Sequence, residues 1–151
     1  MLGADRVLYF EYLLSQIISF MKMEIPIKFS CQLSFFTTAN KFKIDKNTIR
    51  DMITRSCGVK TIAEFYECIL NLTHNDDRLF DIKYRNNIPK GSYGAIKSIC
   101  KEFNGINVVE ENTLSNSFRK ILYKFVSLTN YEKQDVIDSL LKQQSEGKHH
   151  D

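Results

Sequence analysis

The sequence predicts a mainly α-helical fold with at most a minor short β element. Three observations point there. Only 6 of 151 residues are glycine and 2 are proline, so helix-breaking positions are few. Hydrophobic residues make up 43% of the chain, enough for a real core in one domain or two small ones. Their spacing follows the helical repeat through most of the chain. This apolar and aromatic content excludes a disordered chain.

The first helix is expected over residues 4–22. Leu8, Phe10, Leu13, Leu14, Ile17, Ile18 and Met21 cover most of its circumference, which suits the middle of a fold. Glu11 interrupts the apolar run 7–21, and the run is shorter than the ~20 residues of a membrane span. A signal peptide needs a basic start and a small-residue cleavage site, and neither is present. The expected protein is therefore cytoplasmic (nuclear or in a viral factory for a eukaryotic or viral source) and makes no membrane contact. Pro26 ends the next segment. Residues 27–33 alternate apolar and polar, which predicts a short strand or extended linker.

Ser34 is placed to cap a short helix reading SFFTTANKF. Asp45 is a good N-cap for the helix that follows, because its carboxylate can accept from the free amides of Asn47 and Thr48. Ile49, Met52 and Ile53 follow at helical spacing. Gly58 suits the left-handed position that closes the helix. Residues 61–72 carry one stripe of Ile62, Phe65, Tyr66, Ile69 and Leu72. Residues 73–77 read as a turn, 78–85 as a strand or one arm of a wing, and 86–92 as a loop.

The second half reads as helices again. One lies near 93–103 and a long one near 113–127, separated by a turn at 104–107. Thr129 to Glu132 is a capping-box pattern before Val136, Ile137, Leu140 and Leu141. The polar tail from Gln143 is expected to fray. The division implied is an N-terminal half 1–88, a C-terminal half 89–143, which may pack with the first as one domain, and a flexible tail 144–151.

Residues 35–54 resemble a helix-turn-helix DNA-binding unit. Ala39 holds the small position, Lys43 the turn, Ile44 the apolar turn residue, and Ile49 and Met52 the core of the second helix. The family often has glycine where this chain has Lys43, and lysine in a left-handed conformation costs about 1 kcal/mol. The stretch 2–58, with its apolar first helix, is similar to winged-helix domains of plasmid and phage replication initiators and regulators. The resemblance implies a nucleic-acid partner, DNA before RNA, and a role in regulation or replication.

The outward residues fit that chemistry. Lys41, Lys43, Lys46, Arg50 and Arg55 can neutralise phosphates, and arginine can also reach guanine. Asn47 can read adenine, and Thr48 and Thr54 can meet phosphate oxygens. Asp51 sits awkwardly unless it pairs with Arg55 at i+4. Two short helices joined by a tight turn also occur as a plain packing corner. A second unit is suggested by IPKGSYGAIKSICKEF, similar to the first helix of transposase-type helix-turn-helix domains. There Ala95, Ile99 and Cys100 would face the core, and Lys97, Lys101, Asn116 and Arg119 would face outward.

Charge placement supports the same reading. The net charge is only +3. Residues 41–60 hold six Lys/Arg against two Asp, and residues 83–101 hold five Lys/Arg and no acid. Between them, residues 61–81 hold one Arg against five acids. Both basic blocks coincide with the helix-turn-helix candidates.

Cys31, Cys57, Cys68 and Cys100 form no C-x-x-C pair and read as reduced buried thiols. No histidine has a Ser or Cys partner at a recognisable spacing, and no phosphate-loop order is present. The expectation is a non-enzyme without cofactor or metal. Pairing into a homodimer is expected through helix 1 or helix 132–143. The alternative function is a helical protein-interaction module, such as an adaptor or a viral or mobile-element inhibitor of a host factor. Helix 1 or the aromatic face of 61–72 would then be the contact surface.

Overall fold

A computed structural model describes residues 3–76 and 87–149, without the side chains of 146–149. The chain forms two compact units, Met1–Val109 and Glu110–Asp151. The division expected at 88/89 therefore falls inside the first unit. The described residues are mainly helical and contain no strand. The strand or wing arm read at 78–85 lies outside them.

The first unit is built on α1 (Ala4–Lys22). Val7, Phe10, Leu13, Leu14, Ile17, Ile18, Phe20 and Met21 are all buried. Leu8, expected among them, is instead 53% exposed. Most of this helix's apolar surface is therefore taken up by the core of the unit.

Residues 27–33 are not a strand. They open a single helix, α2 (Ile27–Phe42), capped by Pro26 rather than by Ser34. The buried face of α2 carries hydroxyls. Ser30, Ser34 and Thr38, at i, i+4 and i+8, are fully buried beside Phe29, Cys31 and Leu33. Ser30 Oγ donates to the Ile25 carbonyl at 3.0 Å, and Ser34 Oγ to the Ser30 carbonyl at 2.7 Å. Such bonds to the preceding turn let small polar side chains sit inside a helix pair.

Next come α3 (Lys46–Cys57) and α4 (Ile62–Thr73). Gly58 closes α3 at φ 62°, as expected of a left-handed C-terminal position. Thr61 caps α4 by accepting from the Glu64 amide at 3.2 Å, while the Glu64 carboxylate accepts from the Lys60 amide. A 3-10 turn at Lys90–Ser92 leads into α5 (Tyr93–Lys101). Ile88, Ile96, Cys100 and Phe103 join the same core as α1, which is why the first unit extends past residue 88. Ala95, expected to face inward, is exposed. All four cysteines are buried, outside any disulfide.

In the second unit the long helix expected over 113–127 is broken. Residues Glu111–Thr113 form a 3-10 turn, α6 spans Asn116–Lys124 with Ser115 as N-cap, and Phe125–Ser127 is 3-10 again. The last helix, α7 (Asn130–His149), starts at the expected capping box. The Thr129 amide donates to Glu132 at 3.1 Å and the Glu132 amide to Thr129 Oγ1 at 3.2 Å. The helix continues to His149, through most of the stretch expected to fray. No helix among the described residues is long and apolar enough to cross a membrane.

Candidate nucleic-acid interface

Three residues, Lys43 to Asp45, join α2 to α3. Lys43 adopts φ 54° and ψ 48°, the left-handed conformation that the spacing placed at this turn. Ile44 folds back so that its amide donates to the Ala39 carbonyl at 3.1 Å. Aromatic contacts hold the end of α2 on α1. The Phe42 ring lies 4.5 Å from that of Tyr9 and 5.3 Å, edge-on, from that of Tyr12. Lys41 Nζ sits 5.1 Å from the Tyr12 ring centroid, a cation–π distance.

α3 presents two distinct faces. Ile49, Met52, Ile53, Ser56 and Cys57 are buried. Lys46, Asn47, Arg50 and Arg55 are exposed, and Thr54 is half-buried with its hydroxyl donated to the Asp51 carbonyl. Lys41 and Lys43 are exposed at the turn. The outward side of α3 is thus not covered by α4.

Thr48 has a different role from the one expected. Its amide donates to Asp45 Oδ1 at 2.8 Å and its hydroxyl donates to the same oxygen at 3.0 Å. These bonds hold the Asp45 carboxyl below the usual aspartate range, with the Thr48 amide contributing most. A carboxylate therefore already occupies the N-terminus of α3. The Thr48 amide and hydroxyl are both committed to that carboxylate.

Asp51 pairs with Arg55 as expected, Oδ1 to Nε at 3.1 Å. Its other oxygen, Oδ2, accepts from Arg6 Nη1 of α1 at 3.0 Å. Arg6 is absent from the residues singled out by spacing, because it lies 45 positions away in the chain.

The two helices of the second proposed unit fall in different compact units. α5, with Lys97 and Lys101, belongs to the first compact unit, whereas Asn116 and Arg119 of α6 belong to the other. Residues 102–115 separate the two helices, far more than a tight turn. Lys97 Nζ stands 5.8 Å from the Tyr93 ring, and the Arg119 guanidinium donates to Asn116 Oδ1. Each group is engaged locally. Among the described residues no cluster of His, Cys, Asp or Glu side chains is arranged to hold a metal.

No family model, curated protein or solved structure matches this chain.

Proposed function

We propose that the protein binds duplex DNA through α2, the turn at Lys43 and the outward face of α3, in regulation or replication. The observation that carries this reading is the exposed, basic outer side of α3. Lys46 and Arg50 stand free of the core while Ile49, Met52 and Ile53 anchor the helix behind them. Capture would be electrostatic, through Lys41, Lys43, Lys46 and Arg50, with Asn47 and Arg50 at base edges. Pairing of two copies would let the protein span two half-sites.

The test is binding of a fluorescent 20-base-pair duplex over a range of salt concentrations. The expected result is binding at low salt that weakens linearly on a log–log plot as salt rises. Lys46→Glu combined with Arg50→Glu should abolish it with the fold intact. Absence of wild-type binding at low salt overturns the reading.

The second reading is a protein-contact module without nucleic acid. It is favoured by the second unit, where Ile121, Tyr123, Val126, Tyr131 and Leu141 are exposed. Its discriminator is the same titration, because this reading expects no binding to DNA.

A further inference from the structure

We infer that Arg6 and Arg55, held by Asp51, form a preorganised clamp for one backbone phosphate of the bound DNA. The inference rests on the DNA-binding reading and adds a contact from α1 to it.

Asn47, Asp51 and Arg55 follow one another at i, i+4 and i+8, so they line one stripe of α3. The stripe lies on the outer side, opposite the buried Ile49, Met52, Ile53 and Ser56. Arg6 reaches this stripe from α1. Asp51 divides its two oxygens, Oδ2 to Arg6 at 3.0 Å and Oδ1 to Arg55 at 3.1 Å. One carboxylate therefore brings two guanidinium groups side by side and leaves the triad with a net positive charge.

A guanidinium carries five N–H donors, and the contacts to Asp51 use Nη1 of Arg6 and Nε of Arg55. The remaining donors stay on half-exposed groups, with 38% of the Arg6 side chain and 56% of the Arg55 side chain accessible. Two such forks, fixed close together, match the oxygens of a phosphodiester. Free arginine side chains would lose rotamer entropy on binding, and here the carboxylate has already removed much of that freedom. Asp51, an acid in the middle of a basic face, acts as a positioning residue in this arrangement.

Two variants of the full chain test the clamp against simple charge attraction. Asp51→Asn removes a negative charge from the binding face. Charge attraction alone therefore expects tighter binding. The clamp expects weaker binding, on the order of tenfold, because the arginines lose their orientation. Arg6→Gln is expected to weaken binding and to lower the slope of log affinity against log salt by about 1, the signature of one lost phosphate contact. Arg6 lies outside the apolar core, so Arg6→Gln decides the matter by itself if Asp51→Asn fails to fold. Equal or tighter binding by Asp51→Asn, or an unchanged slope for Arg6→Gln, overturns the clamp. If the wild type binds and the Lys46/Arg50 double variant does not, the DNA reading survives that failure. If the wild type does not bind, both fall together.

Discussion

The Ile44 amide donates to the Ala39 carbonyl at 3.1 Å across a left-handed Lys43. This bond closes α2 and sets the direction in which α3 leaves. Only one residue, Lys43, makes the backbone reversal, and it is exposed. A Cβ in this conformation costs roughly 1–2 kcal/mol, which glycine avoids.

Lys43→Gly is therefore expected to stabilise the protein. Glycine's extra freedom in the unfolded chain takes back part of the gain, leaving about 0.5–1 kcal/mol. The same change removes a cation from the candidate DNA face, so affinity should fall while stability rises. A thermal melt and a DNA titration on one preparation check both directions. A lowered melting temperature would show that the lysine side chain stabilises the turn by more than its strain costs.

Thr38→Val is expected to stabilise as well, for a different reason. Thr38 Oγ1 is fully buried in α2 and has no hydrogen-bond partner among the described residues. Burying an unsatisfied hydroxyl costs about 1–3 kcal/mol, and valine has nearly the same shape. An increase of about 1 kcal/mol in urea unfolding free energy is the expected outcome. Ser34→Ala is the control, because Ser34 Oγ is bonded to the Ser30 carbonyl and its removal brings no such relief. If both changes act alike, the missing partner of Thr38 is not the cause.

The same hydroxyls explain where the sequence was hard to read. α3 was legible from end to end, because Asp45, the Ile49–Met52–Ile53 spacing and Gly58 each state a local rule that the chain obeys. α2 was not, because Ser30, Ser34 and Thr38 occupy core positions that the helical pattern reserves for apolar residues. With Ser30 polar between Phe29 and Cys31, residues 27–33 read as alternation. The outward residues of the site were legible from spacing along one helix. Arg6 was not, since a contact between residues 45 apart follows only from how α1 packs against α3. The commitment of Thr48 to Asp45 was half visible: the cap itself followed from residue type, but the turning of the hydroxyl to Asp45 Oδ1 did not.

That cap gives a pH prediction whose sign is fixed. The folded-state pKa of Asp45 is lowered, chiefly by the Thr48 amide and then by the Thr48 hydroxyl. A depressed carboxyl contributes stability above its unfolded value, near ~3.9 for aspartate, and loses it as pH falls through the folded value. Asp45→Asn keeps an N-capping side chain but cannot titrate. The stability advantage of the wild type over Asp45→Asn should therefore be largest near neutrality and shrink on acidification below about pH 4. Glu132 is also lowered, by its bonds within the Thr129 capping box, so the wild type alone would mix the two groups. The difference between the two proteins isolates Asp45. Urea unfolding at a series of pH values measures it, and a difference that stays constant into acid would refute the assignment. The same variant probes function, because it removes a negative charge from the N-terminus of α3. At neutral pH Asp45→Asn should bind duplex DNA more tightly than the wild type, and more so at low salt. Asp45→Asn and Asp51→Asn remove the same charge from the same helix. Opposite effects on affinity would separate a carboxylate that merely repels phosphate from one that positions arginines.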